Sequence, residues 1–451
     1  MIARPIAGAP RPYRFPDFDH QRLDNGLGVW LVPLPDRELV SIHLLTDAGA
    51  AAEDEEHAGI AALTAQLLVT GTQRLDASAF AETTERLGIE VGSESSWDSA
   101  RAGFTALGSK LDDGLALLAE MLRTPRLDPG EFDRLKSERL NDILQARADA
   151  GRLADESFLR EVFADGVPYG RISAGRPETV EALTVDDARA FHATHYAPNV
   201  ADIIIAGAID PGVTRDAIER HLGDWAGTAP THRTFEPMQR GGRRVVLIDR
   251  PGSVQSELRV GHLGIDRHDP RYFPAMVMAA LLGGVFGSRL NLRLREELGY
   301  TYGARSSFDP RRATGTFIAS AAVQTDVTID AIRELIGQLE RIRESQPEDV
   351  ELAEVRDFLV GVFPLRFETT SGIASAIEPL AVYDLPQDWW QRYRANLETV
   401  GASDVHRVAR ELIRPDEALI LVVGDASALR ADLEAAELGP LEVIAAATWT
   451  D

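Results

Sequence analysis

The chain has 451 residues, of which 44% are hydrophobic and 26% are charged, so it is long enough for two or more compact units and too apolar for wholesale disorder. Its 47 basic and 71 acidic side chains give a formal net charge of −24, and such a surface repels phosphate backbones and anionic lipid heads, so we expect no nucleic-acid or membrane partner. The absence of cysteine excludes disulfides, thiolate metal sites and a cysteine nucleophile.

Residues 1–20 are rich in proline and arginine, which predicts an extended N-terminal arm. The arm lacks the apolar segment of a secretory signal, and no run of about 20 apolar residues follows, so no membrane span is expected. The default compartment is therefore the cytoplasm if Met1 is the natural start. A periplasmic location stays open if the sequence was trimmed.

Residues 21–225 are predicted to form an N-terminal lobe. A helical pattern over 56–69 ends at Thr70-Gly71, and the acidic run before it, 53–56, is expected to be a solvated turn that favours the start of the helix. Apolar or β-branched runs predict strands at 27–34, 40–46, 102–107 and 201–208. Further helical patterns lie near 77–87, 111–123, 130–147, 153–163 and 184–195.

Residues 226–243 have no periodicity and carry proline, glycine and threonine, so they are expected to link two halves. Residues 244–451 are then predicted to form a C-terminal lobe. Its strands are expected at 245–248 and 257–262, a long apolar segment at 272–282, and helices at 327–345, 348–360 and 402–413.

An internal repeat connects the two halves. Residues 178–208 and 398–424 each contain ETV, a hydroxyl residue expected to cap a helix (Thr184 and Ser403), a helix, a proline turn and a buried strand. The two copies lie about 220 residues apart. Together with the position of the linker, this repeat predicts a duplicated domain.

The sequence GAAAEDEEHAGIAALTAQLLVTGT, residues 49–72, resembles the first motif of the pitrilysin/insulinase zinc metallopeptidases. In that motif a strand ending in glycine is followed by an acidic turn and a metal-binding helix that closes with Gly-Thr. Active members carry H-x-x-E-H on the helix. Histidines four residues apart share one helical face and reach one zinc ion, and the glutamate acts as general base on the zinc-bound water.

Counting back from Gly71-Thr72, the three motif positions fall on Ala62, Ala65 and Gln66. Alanine has no ligand atom, and a glutamine amide takes up no proton near neutral pH. The position of the family's third ligand, counted back from the Pro-Tyr-Gly turn at 168–170, falls on Asp142, which cannot hold zinc without its partners. We therefore expect this chain to bind no metal and to supply no catalytic residue of its own.

The sequence GGVFGSRLNLRLREELGYTYGARSS, residues 283–307, resembles the C-terminal signature of the same family, in which an arginine and a tyrosine seven residues apart reach towards the zinc site. Both are donors that can stabilise the oxyanion of peptide hydrolysis or bind the substrate backbone. Arg295 and Tyr302 have this spacing, and so do Arg293 and Tyr300, so the alternative stays open. The pattern R-x-x-x-G-x-x-Y favours Arg295 and Tyr302.

The resemblance covers about 20–435, including FHATHYAPN at 191–199, which is similar to the family's end of the first lobe. It implies an α+β fold of two duplicated lobes, each a mostly antiparallel sheet of about six strands packed by helices, facing each other around a chamber. In the processing-peptidase-like branch, two unlike subunits pair; one keeps zinc and the other keeps the arginine and tyrosine.

The resemblance thus implies a non-catalytic, peptide-binding subunit of a heterodimeric zinc metallopeptidase, with Arg295 and Tyr302 contacting the substrate and zinc in a homologous partner. Two alternatives stay open. The chain has a purely structural role in a larger complex, or it is an enzyme in its own right with an unorthodox metal site.

Overall fold

The computed structural model describes residues 11–445, and within them twelve strands form two sheets. The strands are β1 Asp19–Arg22, β2 Gly28–Pro33, β3 Leu39–Thr46, β4 Glu90–Ser95, β5 Ala100–Leu107, β6 Ala201–Gly207, β7 Arg244–Asp249, β8 Gln255–Leu263, β9 Ala304–Pro310, β10 Gly315–Gln324, β11 Leu419–Gly424 and β12 Leu441–Ala445. The first ten residues of the predicted arm and the last six of the predicted C-terminal lobe lie outside the described residues.

The same stretch of chain contains fifteen α-helices, none of them both long and apolar enough to cross a membrane. They are α1 Ile60–Leu67, α2 Ala77–Leu87, α3 Leu111–Arg123, α4 Pro129–Ala148, α5 Ala150–Val162, α6 Pro177–Ala182, α7 Val185–His195, α8 Pro211–Leu222, α9 Tyr272–Ala279, α10 Thr328–Glu344, α11 Asp349–Val362, α12 Thr370–Val382, α13 Trp389–Glu398, α14 Ala402–Leu412 and α15 Ala426–Ala435. Two π-helical segments, Ala280–Gly284 and Asn291–Glu297, follow α9.

The two sheets share one topology. In the described residues the strand order is β1-β2-β6-β3-β5-β4 in the first sheet and β12-β7-β11-β8-β10-β9 in the second. Strands β2 to β6 therefore correspond in order to β7 to β11, and each sheet gains a further edge strand, β1 or β12. Most neighbouring strands are antiparallel, with parallel pairs at β2/β6, β7/β11 and β7/β12. The predicted duplicated α+β fold is confirmed.

The two copies of the repeat begin their helices differently. Thr184 caps α7 as predicted, because its Oγ1 accepts from the Asp187 N–H at 3.3 Å while the Asp187 carboxylate accepts from the Thr184 N–H at 2.8 Å. Helix α14 begins one residue before Ser403, so the predicted cap is wrong. There the Gly401 N–H donates to the Asp404 carboxylate at 3.1 Å, and this interaction starts the helix earlier.

One helix of each lobe packs on the sheet of the other lobe. Helix α5 from the first half packs on β8 and β11, and α12 from the second half packs on β3 and β6. The central strands β6 and β11 are buried almost without a break, which requires cover on both faces of each sheet. The continuous apolar runs of these strands therefore follow from the exchange of helices between the lobes.

Polar contacts accompany both exchanged helices. On the second sheet, Arg259 of β8 donates from Nε to Asp155 of α5 at 2.6 Å. On the first sheet, Glu378 of α12 lies 2.6 Å from Nδ1 of His43 and accepts from Arg101 at 3.0 Å. These charged side chains are paired across the lobe boundary, so their partial burial does not leave a bare charge.

A cavity lies where the lobes meet residues 232–235. It has a volume of about 230 Å³ and is lined by residues including Asp47, Trp97, Tyr169 and Arg312. Helices α5 and α12 cover sheet faces of the opposite lobes, because those apolar faces need cover. The chamber between the lobes stays a prediction.

Candidate functional site

The helix at the predicted zinc position is short and tightly capped. Helix α1 starts after Gly59, whose φ of +102° suits glycine, and Gly71 follows its last turn at φ +141°. The carboxylate of Glu53 accepts from the N–H of Gly59 at 3.2 Å and of Ala61 at 2.7 Å. Glu53, six residues before Gly59, therefore caps the N-terminus of α1 by accepting hydrogen bonds from its first N–H groups.

The acidic turn before α1 is only partly solvated, contrary to the prediction. Glu55 and Glu56 are exposed, but Glu53 is 2% exposed. Burial raises the pKa of the Glu53 carboxyl to about 8, against the opposing effect of its bonds to Ala61 and Gly59 and of the nearby Arg171. From the sequence alone, all four residues of 53–56 are expected at the surface. In the folded chain the turn places the Glu53 side chain in the interior and leaves the other three exposed.

The degenerate motif positions lie where the resemblance implies, on α1 and α4. Ala65 is fully buried, Ala62 and Gln66 are partly buried, and Asp142 is exposed on α4, which packs against α1. These side chains do not fit a zinc ion, because two offer no donor atom and an amide with one carboxylate is a poor ligand set for it. No cluster of three or more histidine, cysteine or acidic side chains that could hold a metal occurs in residues 11–445.

The second candidate site occupies the matching position in the other lobe. As α1 lies between β3 and β4, so α9 and the segment 280–303 lie between β8 and β9. Within this segment Asn291–Glu297 is π-helical, with the Leu298 N–H donating to the Arg293 carbonyl at 3.1 Å. Such wide turns are frequent at functional sites.

Arg295 and Tyr302 both face solvent on this segment. The Arg295 side chain is 35% exposed, with Cζ 4.4 Å from the ring centroid of Phe286 and Nε 3.6 Å from Oε1 of Glu296. Tyr302 is 94% exposed. No hydrogen bond engages the Arg295 guanidinium within the described part of the chain, so its donors are available to a ligand.

The alternative pair has structural partners instead. Arg293 binds Glu334 through two bonds of 2.9 Å and Glu297 through one of 2.8 Å. These hydrogen bonds, those to Glu334 first, raise the pKa of Arg293 above its ordinary value. Tyr300 is partly buried and packs against the core of the C-terminal lobe. The contacts of Arg293 and Tyr300 therefore explain their presence without a substrate, and Arg295 with Tyr302 stays the predicted pair.

Two further residues of this site were not predicted from the sequence. Phe286 is 70% exposed beside Arg295, and Asn291 is buried between the loop that carries Phe286 and the start of β9. Close packing explains the glycine at position 283, since a Cβ there would lie 2.3 Å from the Ser306 nitrogen. Asn291 lies between Leu290 and Leu292, and a polar residue at such a position is the sequence feature that could have predicted a buried amide.

Two family descriptions match this chain. Residues 29–165 match "Insulinase (Peptidase family M16)", and residues 182–359 match "Peptidase M16 inactive domain". The chain belongs to the M16 peptidase family. Both candidate sites lie in these ranges, the zinc-motif positions in the first and Arg295 with Tyr302 in the second.

Relatives of this M16 chain include proteins named as zinc proteases and one named as a non-peptidase homologue. A Helicobacter pylori protein named "non-peptidase homolog YmxG" is 24% identical over 373 residues, 81% of this chain and 84% of that protein. An "uncharacterized zinc protease" of Streptomyces coelicolor is 25% identical over 424 residues, 90% of each chain. The crystal structure of a "peptidase M16 inactive domain" from Pseudomonas fluorescens has a TM-score of 0.86 at 23% identity, covering 91% of this chain and 98% of that one.

These similarities identify the chain as an M16 homologue, in which Ala62, Ala65 and Gln66 stand at the positions of the zinc motif. The fold and the family were thus predicted correctly from two motifs. The substrate-binding role of Arg295 and Tyr302 stays a prediction.

Proposed function

We propose that this M16 chain is the non-catalytic, peptide-binding subunit of a heterodimeric zinc metallopeptidase. The observation that carries the proposal is a contrast between two corresponding segments. The zinc-helix positions hold Ala62 and Ala65, whereas the corresponding segment of the other lobe holds a partly exposed Arg295 and an exposed Tyr302. The zinc ion and the general base would belong to a homologous partner.

The chemistry of peptide hydrolysis explains why these donors are useful. Attack of water on the scissile carbonyl places negative charge on its oxygen, and a preorganised guanidinium and phenol can stabilise that charge. Arg295 offers N–H donors that the described residues leave without hydrogen bonds, and Tyr302 offers one O–H on a side chain almost wholly exposed. Both groups equally suit the backbone carbonyls of an extended peptide.

The proposal is tested on the chain purified together with an M16 chain from the same organism that carries H-x-x-E-H. Arg295→Ala is expected to lower kcat/KM of the pair by roughly a hundredfold or more, as loss of an oxyanion donor does. Tyr302→Phe, which removes one hydroxyl, is expected to lower it by roughly tenfold. Arg430→Ala on α15, where the arginine side chain is 64% exposed, is the control and should change nothing.

Two results would oppose the proposal. If the pair cleaves peptides equally well with Arg295→Ala and Tyr302→Phe, the chain has a structural role. If the chain alone cleaves peptides and a chelator abolishes that activity, it is an enzyme with an unorthodox metal site. A partner-dependent activity that needs Arg295 separates the proposal from both.

A further inference from the structure

Residues 280–303, the Arg/Tyr segment, carry three side chains that are exposed or partly exposed. Phe286 is 70% exposed, the Arg295 side chain 35% and Tyr302 94%. The Arg295 guanidinium lies over the Phe286 ring at 4.4 Å, within the range of a cation–π contact. Two aromatic rings are thus held in solvent on the same segment as an arginine with free donors.

The buried side chain of Asn291 holds the backbone that carries these three side chains. Its Nδ2 donates to the carbonyl of Val285 at 3.2 Å and of Ala304 at 2.9 Å, and its Oδ1 accepts from the Ala304 N–H at 3.0 Å. Val285 precedes Phe286, and Ala304 follows Tyr302 by two residues. Since Asn291 is also in the π-helical segment that carries Arg295, one buried amide sets the relative positions of all three exposed side chains.

Other contacts hold the same loop from its two sides. Gly283 is pressed against β9, because a Cβ there would meet the Ser306 nitrogen at 2.3 Å. Arg289 binds Glu351 of α11 through two bonds of 2.7 and 2.9 Å. The loop that carries Phe286 is therefore anchored at its start, middle and end, and its exposed ring is presented in a defined place.

We propose that Phe286 is a specificity-determining residue that binds a large apolar side chain, aromatic or branched aliphatic, of the substrate peptide. The proposal rests on the proposed function and names its substrate preference. Arg295 and Tyr302 bind backbone carbonyls, while the ring beside them covers the neighbouring side chain. Asn291 is a positioning residue that holds the three groups in one geometry.

Charge argues against the obvious rival ligand, an acidic side chain bound by Arg295. Glu296 lies 3.6 Å from the Arg295 Nε, Glu297 is adjacent in sequence, and the whole chain carries a net charge of −24. An acidic peptide is repelled by this net charge before it reaches the Arg295 guanidinium. An apolar side chain meets no such penalty and gains by covering the ring.

The test uses fluorescent ten-residue peptides of glycine and serine that differ at one central position, which is Phe, Leu, Ala or Glu. Binding to the full chain is measured by anisotropy. The Phe and Leu peptides are expected to bind roughly tenfold tighter than the Ala peptide, and the Glu peptide more weakly than all. Phe286→Ala should abolish this preference, so that the Phe, Leu and Ala peptides bind this variant with similar affinities.

Phe358→Ala on α11 is the matched control, since it removes the same side chain, 48% exposed, and should keep the preference. Asn291→Ala, checked by circular dichroism to be folded, should lose both affinity and preference, whereas a merely structural asparagine would leave the Phe-to-Ala ratio intact. If that variant does not fold, Phe286→Ala still decides the proposal.

The outcomes separate the two proposals. A preference that survives Phe286→Ala, or tightest binding of the Glu peptide, overturns the inference while the peptide-binding function stands. If no peptide binds the unmodified chain, or if Arg295→Ala leaves binding unchanged, the proposed function fails and the inference fails with it.

Discussion

At the scale of single residues, the buried amide of Asn291 is the point on which the Arg/Tyr segment depends. It is 8% exposed and bonded to three backbone groups, those of Val285 and Ala304. Removing it leaves buried donors and acceptors without partners, which costs more than the bonds themselves contribute.

Asn291→Ala is therefore expected to lower the free energy of unfolding by about 1–3 kcal/mol. Denaturant unfolding measures the change, and Asn141→Ala, at an exposed position of α4, is the control and should stay within about 0.5 kcal/mol of the unmodified chain. Equal stability of the two variants would show that the amide is not needed to hold the loop.

Individual residues were predicted only as far as motif spacing reaches. Arg295 and Tyr302 were singled out because they lie seven positions apart, and the same spacing in Arg293 and Tyr300 left two choices. The R-x-x-x-G-x-x-Y pattern favours Arg295 and Tyr302, and the hydrogen bonds of Arg293 to Glu334 give the other arginine a structural partner that no local pattern reveals. Phe286 was not singled out, because its contact with Arg295 depends on a turn that no local pattern specifies.

At the scale of elements, helix α1 depends on a carboxylate that its local sequence does not reveal. The predicted helix over 56–69 exists but is shorter, Ile60–Leu67, because the chain turns at Gly59 and brings Glu53 back to cap it. Propensity and periodicity locate a helix well, but a cap supplied from six residues earlier requires the folded turn.

The buried Glu53 predicts a pH dependence of stability. Its ordinary pKa of 4.5 rises to about 8 in the folded chain, so between these values the folded state binds more protons than the unfolded state. The free energy of unfolding contributed by this group therefore falls as pH rises from about 4.5 to 8. The unmodified chain should lose more stability over this range than Glu53→Gln, by a few kcal/mol at most.

Denaturant unfolding of both proteins at pH 5, 6, 7 and 8 checks this difference. Glu56→Gln, at an exposed position of the same acidic run, is the control and should follow the unmodified chain. Parallel pH profiles for the unmodified chain and Glu53→Gln would contradict a raised pKa of the buried Glu53.

At the scale of the whole molecule, the exchange of α5 and α12 makes each lobe depend on the other. Residues Ile373, Ile377 and Leu380 of α12 are 3% exposed or less, and the helix covers β3 and β6 of the opposite sheet. The sequence predicted two duplicated lobes correctly. It could not show which sheet a helix covers, because an apolar helix face indicates burial without naming its partner.

The exchange predicts that the chain unfolds as one unit. Residues 1–243 expressed alone would expose the face of the first sheet that α12 covers, so this half should show no cooperative thermal transition, and the full chain should show a single one. Calorimetry of the full chain and of each half checks this. Two separate transitions, or a half that melts cooperatively, would show that the lobes are independent.

We propose that the chain, whose first lobe lacks the zinc-binding side chains of its motif, acts through Arg295 and Tyr302 on a partner's zinc. The most direct test is the zinc content of the purified chain after equilibration with zinc and removal of the free ion, together with a peptidase assay of the same sample. We expect zinc far below one ion per chain and no chelator-sensitive cleavage. One tightly held zinc ion per chain, lost on Asp142→Ala and required for cleavage, would contradict it.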